Sequence, residues 1–252
     1  MRAIRTPETR ADQPSAANAV ADDLARLILT GMPPGSSLPS EADLAAQYAV
    51  SRLTIREAVK LLAGRGLVEL ARGRRAMVRE PDGSAFADFL TSMLHNESRG
   101  IFDLIEVRMS LEVQSATLAA KRASRAAIAA IESALQGMRD AEASADAEAE
   151  ERFHTFDVGF HEAVALASGN RILGYLFEAM AEPLRQGIRT SRRGHANRGH
   201  TLADTIAAHQ RILDAIRAGS SRAAAEAMRL HLKDTERDIH NALNHPAQPA
   251  SP

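Results

Sequence analysis

Apolar residues near the start of the chain recur at helical spacing and predict three short helices. The first helix stops at Gly31 and the proline-rich turn that follows, and its apolar face carries Val20, Leu24, Leu27 and Ile28. Ser40 is a favourable N-cap for a second helix over 41–48, and Ser51 for a third over 52–64. Because only Ala49 and Val50 separate the second helix from the cap of the third, the pattern predicts a helix-turn-helix.

The third predicted helix has two different faces. Its apolar face carries Leu53, Ala58, Val59 and Leu62, and its other face carries Arg52, Arg56 and Lys60. Residues 67–70 and 76–79 then alternate as two strands around the basic turn 71–75. The first part of the chain is therefore predicted to be a winged helix-turn-helix, whose third helix presents a basic end to the major groove of DNA.

After residue 80 the pattern is helical throughout. The segments 85–95, 101–123, 125–143, 147–168, 170–190, 201–218 and 221–243 are separated by glycine, serine or asparagine. We expect a mainly α protein in which an antiparallel helical bundle follows the winged helix-turn-helix. The predicted divisions are a mobile tail (1–17), a DNA-binding domain (18–79), a linker (80–85), a helical effector-binding and dimerisation domain (86–245) and a C-terminal tail (246–252).

The stretch 190–200 is polar, basic and interrupted by glycine. Its composition predicts a flexible loop, with a lid over a cavity as the alternative. His195 and His200 within it are candidates for adventitious metal binding.

Composition and charge narrow the function. The 252 residues are 45% hydrophobic, which is enough for a buried core, and they include no cysteine, which excludes disulfides, thiolate nucleophiles and cysteine-ligated zinc. No stretch resembles a signal peptide or a membrane span, so we expect a cytoplasmic protein. Residues 1–80 hold 12 Lys and Arg against 9 Asp and Glu, a net charge of +3, and the remainder has a net charge of −4. This asymmetry favours a phosphate-binding surface near the N-terminus, although a solvated face would give the same charge run.

A second candidate site lies in the helical part. Asp157 and His161 are one helical turn apart, and His209 and His231 occupy two later helices. If these helices pack side by side, one carboxylate and three imidazoles converge as ligands for a divalent metal. Each histidine taken singly is better explained as a buried, hydrogen-bonded residue or as a surface residue. The residues alone therefore leave both interpretations open.

One continuous segment carries a family resemblance. It is similar to the DNA-binding domain of the GntR family of bacterial transcription regulators over about residues 18–79, and its central part reads PGSSLPSEADLAAQYAVSRLTIREAVKLLAGRGLVEL. The resemblance implies DNA contacts from Ser40, Glu41, Arg52, Thr54, Arg56 and Gly73, with extra backbone contacts from Arg74 or Arg75. Ser40 has the alternative role of a helix cap only, and the two helix arginines that of surface residues. The chain departs from the family pattern at Ala42, Ala49, Arg75 and Met77, and these departures favour an operator that differs from the common one.

The helical part resembles the FCD ligand-binding domain of FadR-type GntR regulators over about residues 86–240. The motifs that carry this resemblance are FDLIEVRMSLEVQSATLAAKRA, DVGFHEAVALASGN, TIAAHQRILDAIRAG and AAAEAMRLHLKDT. It implies a metal site at Asp157, His161, His209 and His231, with zinc preferred and nickel or manganese as alternatives. It also implies that Arg108 lies in a cavity and binds a carboxylate effector; an ion pair with Glu112 is the alternative. Arg185 and Arg189 are further candidates for effector contact.

These observations favour a ligand-responsive transcription regulator, acting as a homodimer on a pseudo-palindromic operator in double-stranded DNA. A small carboxylate bound near the metal would shift the geometry of the two DNA-binding heads. We expect a repressor and no enzymatic activity. Two alternatives remain: a sensor of the metal alone, and a metal-dependent hydrolase or lyase fused to a DNA-binding head.

Overall fold

The computed structural model describes residues 15–80, 82–94 and 100–245. It divides into two compact units, residues 1–85 and residues 86–252. The predicted fold class, a winged helix-turn-helix followed by an all-α domain, is confirmed. The predicted tails fall largely outside the described residues, except that the first helix already begins at Ala16, inside the predicted N-terminal tail.

The N-terminal unit contains three helices and a two-stranded sheet. These elements are α1 (Ala16–Gly31), α2 (Glu41–Gln47), α3 (Arg52–Gly64), β1 (Val68–Glu69) and β2 (Met77–Val78). A serine caps each helix, since the side chains of Ser15, Ser40 and Ser51 accept hydrogen bonds from backbone N–H groups of the first turn. The strands are antiparallel, with Val68 opposite Val78. One apolar core joins all five elements.

Two leucines of the predicted apolar faces are exposed. Leu27 is 45% exposed and Leu53 is 66% exposed, whereas Ile55 is completely buried. The inward face of α3 follows Ile55, Ala58, Val59 and Leu62 at three- and four-residue spacing, and Leu53 lies off that line. The prediction of Leu53 as a core residue was therefore wrong.

The turn between α2 and α3 holds a strained residue. Ala49 has φ of +53°, and it is the one residue other than glycine with a positive φ in the described part of the chain. A Cβ atom makes this left-handed conformation unfavourable. Its backbone N–H bonds to the Ala46 carbonyl, and that of Val50 to the Ala45 carbonyl, so the turn is tied back to α2.

The C-terminal unit is built from helices, and the helix that leads into it begins at Ser84, within the predicted linker. The helices are α4 (Ser84–Leu94), α5 (Gly100–Arg122), α6 (Arg125–Glu142), α7 (Ala149–Ala167), α8 (Arg171–Asn197), α9 (Leu202–Arg217) and α10 (Ser221–Asn244). The largest apolar core lies between α5, α6, α7, α9 and α10. A smaller one, centred on Phe177, joins α5, α7 and α8. Among the described residues, no helix is long and apolar enough to cross a bilayer.

The prediction of a flexible loop at 190–200 was wrong over most of its length, because α8 continues to Asn197. Gly194 explains how a polar segment remains helical against the domain. A Cβ atom at this position would lie 1.7 Å from the backbone oxygen of Asp238 in α10, so only glycine permits this close approach. His195 and Arg198 then bind the buried carboxylate of Asp238, at 2.9 and 2.6 Å. Packing between two helices thus outweighs the loop-like composition.

Candidate functional sites

The start of α3 displays the side chains predicted to reach DNA. Arg52 is its first residue and is exposed, with no ion pair to any described residue. Ser51 accepts the backbone N–H of Thr54 at 3.1 Å, and the two hydroxyls lie 2.8 Å apart. Ser51 therefore caps the helix, and Arg52 stands free at the helix end that the helix-turn-helix motif directs towards the major groove.

Three predicted DNA contacts are engaged within the protein. Ser40 forms a capping box with Asp43, which confirms its capping role. Glu41 pairs with Arg56 across two helices, with Arg56 Nη2 at 2.8 Å and Nε at 3.1 Å from its carboxylate oxygens. The hydrogen bond from Arg56 lowers the pKa of Glu41, so this carboxylate is charged at neutral pH. The pair orients the Arg56 guanidinium beside α2 while leaving it exposed.

The turn between the strands carries the remaining predicted DNA contacts. Gly73 has φ of +74°, a conformation that glycine adopts without strain. Arg74 and Arg75 beside it are exposed. The wing tip therefore offers two arginines on a turn that Gly73 makes possible.

Three of the four predicted metal ligands meet in the core of the helical unit. His161 of α7 lies 3.3 Å from His209 of α9 and 3.2 Å from His231 of α10, all measured between Nε2 atoms. One ring nitrogen from each histidine lies within 4.8 Å of the others. Asp157 adjoins the group, with Oδ1 2.9 Å from His209 Nε2. The arrangement brings together residues that are up to 74 positions apart in the chain.

The opposite ring nitrogens determine what the converging atoms can do. His209 Nδ1 lies 2.8 Å from the Thr205 carbonyl oxygen, and His161 Nδ1 lies 2.5 Å from Glu112 Oε2. Because neither oxygen can donate, each Nδ1 is placed to donate its proton. In the neutral tautomer that keeps this proton, the Nε2 lone pair is directed at the other histidines and is available to a cation.

Charge in the cluster suits cation binding as well. Burial raises the pKa of Asp157, but the neighbouring His209, followed by His161 and Arg108, lowers it further, to about 2. Burial first, and then the neighbouring His209 and His161, lowers the pKa of His231 well below its usual value. At neutral pH the Asp157 carboxylate is therefore charged and the His231 ring is neutral.

Glu112 connects the cluster to Arg108. Its Oε1 accepts a hydrogen bond from Arg108 Nε at 2.5 Å, and its Oε2 faces His161. Burial raises the pKa of Glu112, and Arg108 and His161 together lower it to about 2. The intrahelical pair of Arg108 and Glu112 is present, and Arg108 also lines the adjoining cavity, so its two predicted roles coexist.

A cavity of about 240 Å³ lies beside the histidines. Its wall includes Arg108, Asp157, His161 and His231, together with residues of α8 and α9. Arg185 and Arg189 are not part of this wall, because they pair with the surface carboxylates of Glu182 and Glu151. Other basic residues line it that the sequence did not single out, namely His154, Arg192, Arg198 and Arg211. His154 precedes Asp157 by three residues, a spacing that could have identified it.

A second group of possible ligands, His195, His200 and Asp204, lies on the same cavity wall. His195 Nδ1 faces Asp238 at 2.9 Å, and its Nε2 faces the Thr201 carbonyl oxygen at 3.0 Å. The Asp238 carboxylate raises the pKa of His195 despite partial burial. Within this group, the contact of His195 with Asp238 joins α8 to α10.

Both units of the chain match known protein families. The sequence profile of the bacterial regulatory proteins of the gntR family matches residues 16–78, and that of the FCD domain matches residues 103–234. The chain belongs to the GntR family. This GntR regulator is 33% identical to the HTH-type transcriptional regulator LutR of Bacillus subtilis (strain 168) over 204 residues, which cover 81% of this chain and 91% of LutR.

Two further relatives agree with this assignment. The Galactonate operon transcriptional repressor of Escherichia coli (strain K12) is 36% identical over 199 residues, covering 77% of this chain and 83% of the repressor. The structure of a Streptococcus agalactiae GntR superposes with a TM-score of 0.70 at 29% identity, covering 88% of this chain and 99% of that one. The GntR regulator described here is thus a DNA-binding transcription regulator with an FCD domain.

Proposed function

We propose that this GntR regulator is a homodimeric repressor that binds a divalent metal, preferably zinc, in its helical domain and senses a small carboxylate beside that metal. The observation that carries the proposal is the convergence of three histidine Nε2 atoms in the core, two of them on rings whose Nδ1 atoms face oxygen acceptors. In metal sites, a hydrogen bond from the nitrogen that does not bind the metal orients the imidazole ring.

The donor set fits a transition metal. His161, His209 and His231 would supply nitrogen ligands and Asp157 an oxygen, a combination that suits zinc, nickel or copper better than magnesium or calcium. With a net charge of about +1, such a site leaves coordination positions for an anion. When bound, the metal supplies positive charge and an open position for a carboxylate oxygen.

Arg108 supports a carboxylate as the effector. Its Nε is committed to Glu112, and its guanidinium nitrogens form no other hydrogen bond with the described residues. It can therefore offer a second contact to a carboxylate held at the metal. The name of the galactonate operon repressor refers to the anion of a carboxylic acid, which is consistent with this ligand class.

The first test measures metal and DNA binding together. Purified protein is analysed for bound metals, and its binding to the DNA upstream of its own gene is titrated at several salt concentrations, with and without carboxylates. We expect about one metal per chain, salt-sensitive binding to selected sequences, and release of DNA by a carboxylate in the metal-loaded protein only. If DNA binding responded to metal but to no carboxylate, the protein would be a sensor of the metal alone.

A matched pair of variants controls this test. His209→Ala removes a central ligand, and we expect loss of the metal and of the carboxylate response. His245→Ala changes an exposed histidine at the end of α10 and should retain both. Unchanged metal content in His209→Ala would contradict the proposed site.

A further inference from the structure

His154 and Arg192 of the helical domain each have a buried polar atom without a hydrogen-bond partner. His154 is 3% exposed, and its Nδ1 has no hydrogen-bond partner among the described residues. The same holds for Nη1 of Arg192, one α8 residue whose guanidinium forms no ion pair in the described part of the chain. Leaving such a group unsatisfied is unfavourable, and more so when it is charged. Both residues line the cavity beside the histidines, so a ligand in that cavity can satisfy them.

The acidic residues of the cavity wall already have partners. Asp157 adjoins His209, and Asp238 binds His195 and Arg198. The other two acids also have partners, since Asp204 belongs to the capping box of α9 and Asp234 pairs with Arg237. No carboxylate of the described wall therefore neutralises Arg192.

The arginines of the wall differ in whether they have a counter-ion. Arg108 is paired with Glu112 and Arg198 with Asp238, whereas Arg192 has no counter-ion among the residues that the structure describes. A partly buried guanidinium without an anion is unfavourable, and a carboxylate that accepts two parallel hydrogen bonds is the partner it binds best.

We propose that the effector carries two carboxylates, the first held by the metal and Arg108 and the second by Arg192 with His154. This inference rests on the proposed function and narrows its ligand class from carboxylates in general to short dicarboxylates. The cavity volume of about 240 Å³ suits a ligand with a short chain. His154 of α7 and Arg192 of α8 then contact the end of the ligand that the metal does not hold.

The test compares ligands that differ only at the second carboxylate. Isothermal titration calorimetry on the full-length, zinc-loaded protein uses the pairs succinate and butyrate, glutarate and valerate, and malate and 2-hydroxybutyrate. In the last pair, a methyl group replaces the carboxylate that is remote from the hydroxyl. We expect at least one dicarboxylate to bind about tenfold or more tightly than its monocarboxylate counterpart.

A neighbouring pair of arginine variants assigns that difference to a residue. Arg192→Gln should remove the preference by weakening the dicarboxylate about tenfold or more and leaving the monocarboxylate unchanged. Arg193→Gln makes the same change at the adjacent exposed position, outside the cavity wall, and should keep the preference. Equal affinity for both members of every pair, or an equal loss of both in Arg192→Gln, would overturn the inference.

The outcomes also separate this inference from the function on which it rests. One outcome is that monocarboxylates match the dicarboxylates in affinity and bind only when zinc is present. That outcome would contradict the proposed site for a second carboxylate and leave the carboxylate-sensing function intact. Binding of neither class, with or without zinc, would overturn the carboxylate-sensing function itself and the inference with it. The protein's zinc content and melting temperature, measured on each variant, show whether a lost response reflects an altered fold.

Discussion

The two units of this GntR regulator place their functional side chains differently. In the N-terminal unit, Arg52, Arg56 and the wing arginines are exposed, and the apolar core lies behind them. In the helical unit, His161 and His209 are almost completely buried, and their neighbours Arg108 and Glu112 are 3% and 2% exposed. A DNA backbone must be met at the surface, whereas a small ligand is bound best where water is excluded.

This difference has an energetic consequence. Exposed ion pairs such as that of Glu41 with Arg56 contribute little to stability, so DNA contacts can change without unfolding the unit. The buried pair of Arg108 and Glu112 cannot lose one member cheaply, because the other charge would remain buried and unpaired. We therefore expect function and stability to separate in the first unit and to be coupled in the second.

The largest expected effect is on the packing beside the cavity. Gly194→Ala places a Cβ atom 1.7 Å from the Asp238 backbone oxygen, which must move α8 away from α10. We expect a loss of about 3 kcal/mol of unfolding free energy in the helical unit, together with weaker carboxylate binding. Hydrogen-exchange mass spectrometry on the full chain can assign the loss to the helical unit.

The same substitution at Gly159 of α7 is the matched control. Its Cβ would meet nothing within 4 Å, so the greater helix propensity of alanine should stabilise α7 by up to about 1 kcal/mol. If Gly194→Ala and Gly159→Ala were equally stable, the close contact of α8 with α10 would not contribute to the stability of the helical unit.

A smaller effect is expected at the DNA-binding surface. Arg52→Ala should weaken operator binding by about 1–3 kcal/mol, as fluorescence anisotropy with the bound DNA would measure. Its unfolding free energy should change by no more than about 0.5 kcal/mol, because the side chain is exposed. The control is Arg26→Ala, which removes an exposed arginine paired with Asp23 in α1. Parallel losses of stability and DNA binding in Arg52→Ala would remove the distinction between the two units.

The smallest effect concerns the turn of the helix-turn-helix. Ala49→Gly relieves a left-handed conformation that costs about 1–2 kcal/mol, at the expense of about 0.5–1 kcal/mol of backbone entropy. We expect a net stabilisation of about 0.5–1 kcal/mol in urea unfolding of the N-terminal unit. Ala46→Gly, at a residue in the helical conformation of α2, should instead destabilise the N-terminal unit by a similar amount. A destabilised Ala49→Gly variant would mean that the turn is not strained.

Local signals explain why much of the N-terminal unit could be predicted from the sequence. Helix caps at Ser40 and Ser51, and the strand pair around Gly73, depend on residues close together in the chain. Leu53 was misassigned because one apolar residue near a helix end carries little information about which face is buried.

The helical unit was less predictable because its site depends on contacts between distant segments. The spacing of Asp157 and His161 indicated a ligand pair, but only packing shows that His209 and His231 meet them. The extension of α8 over 190–197 depends on Asp238, about forty residues later, which composition alone does not reveal. The sequence does not distinguish Arg192 from its neighbours, because only the packing shows that its buried Nη1 has no partner among the described residues.

Glu112 gives the helical unit a way to compare two signals. One oxygen of its carboxylate serves an arginine of the cavity wall, and the other faces a histidine of the metal cluster. On the proposed function, a carboxylate bound by the other nitrogens of Arg108 shares its positive charge with Glu112, which leaves more negative charge to polarise His161 and strengthens its bond to the metal. Linkage requires the metal to favour the ligand by the same factor. Such a domain would act as a coincidence detector, responding most strongly when both inputs are present.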